Sequence, residues 1–195
     1  MRALSLDPGR LVMVKQVHGD QVLWAEEAGP KVLEVPADGL ITRVPGLALG
    51  VRTADCVPVF FWDPARRVAG IAHGGWKGVK KGIIGRMLKA FFQKAKSRPE
   101  DLCVAIGPAI RACCYEVGNE FMGYFPGFYR ARSASQGVLD LVGVIKDRLL
   151  KRGVPEARIE DTGVCTVCQN RDFFSYRAEC KTPERILSVI SILPS

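Results

Sequence analysis

The sequence predicts a mixed α/β or α+β protein in which strands and helices alternate along the chain. Three observations lead to this class. Short apolar runs that stop at glycine, proline or small polar residues recur through the chain, and such runs indicate strands. Two longer segments repeat apolar residues every three or four positions, as amphipathic helices do. The two kinds of segment interleave, which is typical of a mixed sheet covered by helices.

The predicted strands are rich in β-branched and aromatic residues and are bounded by turn-forming residues. In chain order, they fall within residues 9–27, 47–63, 66–75, 101–110, 158–179 and 185–193. The second stretch is apolar at both ends and polar at its centre, and the fifth is expected to form a strand, a loop and a strand.

Two helices complete the prediction. The first follows "GGWKG", extends over about 18 residues and ends near Pro99. Its apolar face repeats every four residues, at Val79, Ile83, Met87 and Phe91. The second helix lies within residues 139–155 and is closed by Gly153 and Pro155.

Composition narrows the class of protein. A chain of 195 residues with 48% hydrophobic residues predicts one domain with a substantial core. No apolar run reaches membrane-spanning length and the first residues lack the apolar core of a signal peptide, so we expect a cytoplasmic protein without a membrane partner. The net charge of +8 is concentrated on residues 77–98. We interpret this charge as the solvated face of the first helix and expect no nucleic-acid partner. The rival interpretation is a basic nucleic-acid-binding protein, which salt-dependent binding to DNA or RNA would support.

Seven cysteines, an odd number, argue against a disulfide framework. Cys165 and Cys168 form a CxxC pair, which binds zinc only when a second pair faces it. Cys113 and Cys114 are adjacent, so we do not expect them to be that pair. The sequence therefore predicts that the CxxC cysteines are free thiols that bind no metal.

Three potentially reactive residues occupy strand ends or breaks: His18 in "KQVHGD", Cys56 in "TADCVP" and His73 in "AHGGW". A rigid sheet positions side chains at such breaks and exposes them. Two imidazoles and a thiolate suit Zn²⁺ and leave a fourth position for water. The same residues also suit a metal-free site in which a histidine activates Cys56 as a nucleophile. The residue types alone leave both interpretations open.

Two further stretches suggest ligand contacts. Gly74, Gly75 and Lys77 open the first predicted helix, where free backbone N–H groups could hold an anion such as phosphate. In "FFSYR", Phe174 and Arg177 could line a pocket that stacks a flat ring.

The ordered motifs "KQVHGDQV", "RTADCVPVFF", "AGIAHGGWKG", "AIRACCYEVG" and "CTVCQNRDFFSYR" resemble those of the YfiH-like laccase-domain family. Members of this family are described as purine nucleoside phosphorylases with adenosine deaminase activity and were formerly named polyphenol oxidases. The resemblance implies a single domain over residues 1–195, shortened at its N-terminus relative to the family. It also implies a layered α/β sandwich with mixed β-sheets flanked by helices.

The resemblance further implies that His18, Cys56 and His73 are metal ligands. Our leading hypothesis is a zinc enzyme that cleaves purine nucleosides with phosphate and deaminates adenosine. Asp55, beside Cys56, is the candidate proton shuttle, and Arg52 is a candidate anion or substrate contact. Lys77 stands where the family more often has arginine.

Two alternatives use the same triad. Copper in place of zinc would suit a polyphenol oxidase, since two histidines and a cysteine also bind copper. A metal-free Cys–His pair would suit an amide hydrolase that acts on cell-wall peptide.

Overall fold

In the computed structural model, which describes residues 6–27 and 31–194, three sheets and four α-helices form the fold. The strands are β1 Leu11–Lys15, β2 Val22–Trp24, β3 Lys31–Pro36, β4 Gly39–Thr42, β5 Ala48–Thr53, β6 Val57–Asp63, β7 Val68–Gly74, β8 Cys103–Ile106, β9 Glu116–Gly118, β10 Tyr129–Ala131, β11 Gln136–Leu139, β12 Ile159–Asp161 and β13 Ile186–Ser191. The helices are α1 Trp76–Lys81, α2 Ile83–Ala90, α3 Phe121–Tyr124 and α4 Leu141–Leu150.

Two of the sheets are mixed. The larger has the order β12-β8-β6-β7-β4-β2, with antiparallel pairs at its centre and a parallel pair at each edge. The smaller has the order β13-β5-β1-β3, in which β13 is antiparallel and the others are parallel. A third, antiparallel sheet has the order β10-β11-β9. The predicted fold class, α/β with mixed sheets flanked by helices, is confirmed.

The strand pleat divides the core between two faces of the larger sheet. Leu40 and Ile71 face the smaller sheet, whereas their neighbours Ile41 and Ala72 face the helices. Successive side chains of a strand point to opposite faces, so both faces are apolar and both must be covered. The result is a layered arrangement of smaller sheet, larger sheet and helices.

The first predicted helix has the expected apolar face, and Val79, Ile83, Met87 and Phe91 are all fully buried. The prediction of one continuous helix, however, is wrong. Gly82 adopts a left-handed conformation with φ 111° and separates α1 from α2. A π-helical turn at Phe91–Ala95 follows α2. Glycine adopts this backbone conformation at little cost, so the break costs little and both pieces keep the same buried face.

The second predicted helix is confirmed as α4, whose N-terminus is capped by the Asp140 carboxylate accepting from the Gly143 N–H at 2.8 Å. The predicted strand after the CxxC pair is wrong, because residues 162–185 form turns and loops. Polar groups of this segment hydrogen-bond to Asp55 rather than to a neighbouring strand. Within the described residues, none of the helices has the length and apolar character needed to cross a membrane.

Candidate metal centre and substrate cavity

The fold brings the three predicted ligands together. His18 lies in the turn after β1 with a positive φ of 55°, Cys56 lies between β5 and β6, and His73 lies within β7. One donor atom from each residue lies within 4.8 Å of the others. Cys56 Sγ is 3.8 Å from His18 Nε2, close to the edge of about 3.6 Å of a zinc tetrahedron with one nitrogen and one sulfur ligand. We call these residues the His–Cys–His triad.

Asp38, which sequence reasoning missed, orients both histidines. Its fully buried carboxylate contacts His73 Nδ1 at 2.7 Å and accepts the backbone N–H groups of His18 at 3.0 Å and Gly19 at 2.6 Å. Engaging Nδ1 leaves Nε2 of His73 to bind an ion, the usual arrangement around a metal-bound histidine. "ADG" carries no signal that distinguishes this carboxylate from the others, because its partners are 19 to 35 residues distant in sequence.

The glycines after His73 make room for the triad. A Cβ at Gly75 would lie 2.6 Å from His18 Cδ2 and 3.2 Å from Cys56 Sγ, so a side chain there would fill the space between the ligands. A Cβ at Gly78 would lie 2.6 Å from the Gly19 carbonyl oxygen, so α1 approaches the His18 turn closely. Two imidazoles and a thiolate around a space kept free by glycine fit a zinc ion with one open position.

Electrostatics link the triad members. Burial by itself raises the pKa of Cys56, but its contacts with His18 and His73 outweigh burial and lower the value to about 6. Burial lowers the pKa of His73, but its contacts with Asp38 and Cys56 raise the value to about 9. At neutral pH the unliganded centre therefore holds a thiolate beside an imidazolium.

Zinc affinity at this centre is expected to rise with pH. A histidine binds a metal ion only through a neutral imidazole ring. A pKa of about 9, however, keeps His73 protonated at neutral pH. Zinc must displace that proton, so its affinity should increase about tenfold per pH unit until pH reaches about 9, and then level off. Calorimetric titration in buffers of different ionisation enthalpy measures the proton released. An affinity that does not change between about pH 7 and 8 would contradict the raised pKa of His73 in the metal-free centre.

The triad opens into a cavity of about 740 Å³, which we call the large cavity. Three cationic side chains, Lys15, Arg52 and Arg185, line it together with one carboxylate, Glu34. Tyr176 adds an aromatic ring to the wall, with the Arg185 guanidinium 5.8 Å from the ring centre. The volume is in the range of small-molecule sites, and the excess of cations favours an anionic ligand.

A small cavity of about 270 Å³ shares His18 and Cys56 with the large cavity. Tyr115 and Arg177 line it, and the Arg177 guanidinium lies 5.6 Å from the centre of the Tyr115 ring. Sequence reasoning singled out Arg177 but missed Tyr115, Tyr176 and Arg185. An aromatic residue or arginine becomes recognisable as part of a cavity only when the surrounding loops are placed.

Lys77 and Phe174, two of the predicted ligand contacts, lie outside both cavities. Lys77 is exposed, its ammonium lies 5.6 Å from the centre of the Trp76 ring, and it lines neither cavity. Phe174 is exposed and also lines neither cavity. Gly74 is the last residue of β7, where a Cβ would meet the Val57 carbonyl oxygen at 2.7 Å.

Asp55 is buried and its carboxylate joins the candidate site to the loop at 162–182. Oδ1 accepts hydrogen bonds from the hydroxyls of Thr166 and Ser175, both at 2.7 Å, and Oδ2 accepts the Arg177 N–H at 2.7 Å. Both oxygens are thus occupied by donors of that loop. This geometry favours a positioning role for Asp55, and the proton-shuttle role stays a prediction.

The expectation that the CxxC cysteines lack partners is wrong. The sulfur atoms of Cys113, Cys114, Cys165 and Cys168 all lie within 4.8 Å of one another. Adjacency of Cys113 and Cys114 does not prevent both thiols from facing the CxxC turn, because the chain turns at this point.

The fold and the site together define a layered α/β protein with a candidate His–Cys–His metal centre at the mouth of a cationic cavity. The chain belongs to the family described as "Multi-copper polyphenol oxidoreductase laccase", whose model matches residues 1–193. This match confirms the resemblance seen in the sequence motifs.

Relatives and solved structures agree with this membership. The chain is 35% identical to "Purine nucleoside phosphorylase YlmD" of Geobacillus stearothermophilus, over 93% of this chain and 72% of the relative. It is 33% identical to "Purine nucleoside phosphorylase" of Aquifex aeolicus, over 91% of this chain and 81% of the relative. The crystal structure of the hypothetical protein YfiH of Bacillus licheniformis superposes with a TM-score of 0.92 at 32% identity, covering 98% of this chain and 77% of that one.

Proposed function

We propose that this protein is a zinc-dependent purine nucleoside phosphorylase that also deaminates adenosine. The observation that carries the proposal is the opening of the His–Cys–His triad into a cationic cavity with room for a nucleoside. The names of the relatives support the phosphorylase activity.

Phosphorolysis requires a phosphate and a nucleoside side by side. A phosphate oxygen forms a bond to the ribose C1′, the bond from C1′ to the purine nitrogen breaks, and the departing purine takes up a proton. Arg52 and Arg185 carry permanent charge and can bind phosphate through paired N–H donors, and Lys15 adds a third cation. Tyr176 presents an aromatic ring to the same cavity, on which a purine can stack.

The triad would hold the ion, and Asp38 would keep the His73 ring oriented toward it. Zinc, when bound, supplies a Lewis acid and a bound water whose pKa is lowered to about 7. In deamination, water adds to the purine carbon that carries the amino group, and ammonia leaves. Arg177 and Tyr115 flank the triad on the side of the small cavity and would orient the base.

The function is tested by incubating the purified protein with inosine, adenosine and methylthioadenosine, each with and without phosphate. We expect free purine base to form only with phosphate, and adenosine to yield inosine and ammonia without it. Removing zinc with a chelator should stop both reactions, and adding zinc should restore them. Absence of base release from all three nucleosides in zinc-loaded protein would overturn the proposal.

Arg52→Ala is expected to raise the phosphate concentration required for half-maximal inosine cleavage by about tenfold or more, since a charged hydrogen bond contributes about 1.5–3 kcal/mol. The inosine requirement should change less. Lys77→Ala is the matched control, because Lys77 lies outside both cavities, and it should leave the phosphate requirement unchanged. A reversed result, with only Lys77→Ala affected, would return the phosphate site to the start of α1.

A second candidate function, a Cys–His hydrolase, rests on the consecutive contacts from Asp38 to His73 and from His73 to Cys56. A carboxylate on Nδ1 of a histidine that faces a thiolate is also the arrangement of a Cys–His hydrolase. His18, however, adds a second imidazole at 3.8 Å from the sulfur, which a metal centre uses and a Cys–His pair does not need. Purified protein that hydrolyses peptide amides without bound metal would support this alternative.

A copper-dependent polyphenol oxidase is a third candidate, and metal analysis and a phenol-oxidation assay of the purified protein test it. Two histidines and a cysteine suit copper as well as zinc. The chain has only two histidines, too few for the several copper ions of a multicopper oxidase. Bound copper together with phenol oxidation would favour this activity over the proposed one.

A further inference from the structure

A second group of potential metal ligands lies outside the His–Cys–His triad. Cys113 and Cys114 sit in the turn before β9, and Cys165 and Cys168 sit in the turn after β12. Their four sulfur atoms lie within 4.8 Å of one another, and we call them the cysteine cluster. Cys165 is buried, Cys114 is half-buried, and the other two are exposed, so the cluster lies at the surface above a buried residue.

The distances match one tetrahedral ion. Cys168 Sγ is 3.7 Å from Cys113 Sγ and 3.5 Å from Cys114 Sγ. A zinc ion with four thiolates at about 2.3 Å has edges of about 3.8 Å between sulfurs. A disulfide would need about 2.05 Å. A four-iron cluster needs wider spacing, because each thiolate binds a different iron.

The backbone holds the two turns together independently of any ion. Ala109 N–H donates to the Val164 carbonyl at 3.2 Å, and Thr166 N–H donates to the Ala109 carbonyl at 3.2 Å. Arg111 donates to the same Val164 carbonyl at 3.1 Å and forms an ion pair with Asp161 at 2.6 Å. The four thiols are therefore pre-positioned, which reduces the conformational entropy lost when an ion binds.

We propose that Cys113, Cys114, Cys165 and Cys168 bind one structural zinc ion. Four thiolate ligands leave no open coordination position, which is the mark of a structural site. The ion would neutralise part of the repulsion between thiolates held at this spacing. This site is separate from the His–Cys–His triad and does not rest on the proposed function.

The consequence for the active site follows from the neighbours of the ligands. Tyr115, next to Cys114, lines the small cavity, and Thr166, next to Cys165, donates to Asp55 at 2.7 Å. Backbone pairing also links this region to the triad, since Ile110 N–H donates to the Asp55 carbonyl at 2.9 Å. The zinc would fasten residues 109–115 to residues 162–182 and so hold one wall of the cavity.

The experiment measures zinc per chain in the purified full-length protein and in three variants. We expect about two zinc ions in the wild type and about one in Cys165→Ser/Cys168→Ser, since each site holds one ion. Cys180→Ser is the matched control, because Cys180 is an exposed cysteine outside the cluster, and it should keep both ions. His73→Ala, which disables the triad, should keep the cluster's ion.

Cobalt substitution in His73→Ala adds a readout that does not depend on activity. Four thiolates around Co²⁺ give strong charge-transfer and tetrahedral d–d absorption bands, and these should disappear when Cys113→Ser/Cys114→Ser is added. A Cys165→Ser/Cys168→Ser variant with wild-type zinc content overturns the proposal. So does wild-type protein in which the four thiols react freely, or in which they are paired as disulfides. If this double variant does not fold, Cys113→Ser/Cys114→Ser provides the same comparison.

Discussion

Replacing His73 by alanine is expected to remove zinc from the His–Cys–His triad, with an affinity loss well above a hundredfold. The loss of one of three protein ligands is compounded by a buried Asp38 carboxylate that loses its contact with the His73 ring. His18→Ala and Cys56→Ser should have a similar effect. Competition with a chromophoric chelator measures the affinity, and zinc analysis should show the loss of one ion per chain.

Asp38→Asn provides a graded comparison. It leaves all three ligands in place but weakens the contact that orients His73, so we expect zinc affinity to fall by roughly 10- to 100-fold. Cys180→Ser is the control for the loss of a cysteine as such. Wild-type zinc affinity in His18→Ala, Cys56→Ser and His73→Ala alike would show that the three residues converge for another reason.

Asp55→Asn is expected to lower the melting temperature by about 5–10 °C and to reduce nucleoside cleavage strongly. An amide oxygen and an amide nitrogen cannot accept the three hydrogen bonds that the carboxylate accepts, so at least one donor, buried or partly buried, is left unpaired. An unpaired buried group costs about 1–3 kcal/mol, which corresponds to several degrees in a chain of this size. Calorimetry measures the melting temperature.

The same variant separates a positioning role of Asp55 from a proton-shuttle role. If Asp55 positions the loop at 162–182, cleavage should fall without a change in the shape of the pH–rate profile. If it shuttles protons, one limb of that profile should disappear, in addition to the drop in melting temperature that follows from the lost hydrogen bonds. Asp172→Asn, on the same loop but without a contact to Asp55, is the matched control and should change neither property.

The sequence by itself determined the parts of this protein that depend on local pattern. The four-residue repeat of Val79, Ile83, Met87 and Phe91 predicted which face of the helical segment is buried, because an amphipathic stripe is a property of neighbouring residues. His18, Cys56 and His73 could be chosen because each stands at a strand end or break and within a recognisable motif. Gly82, where the helix breaks, is visible in the sequence, but a glycine at that position is compatible with both a continuous and a divided helix.

Only the tertiary structure decided which distant groups meet. Asp38 contacts His73 across 35 residues, Asp55 contacts Ser175 across 120, and Cys113 contacts Cys168 across 55. No local periodicity encodes these pairs, since they depend on the order of strands in two sheets and on the placement of the loops that leave them. The same dependence explains why Lys77 lies outside both cavities, while Arg52 and Arg185, 133 residues apart, line one of them.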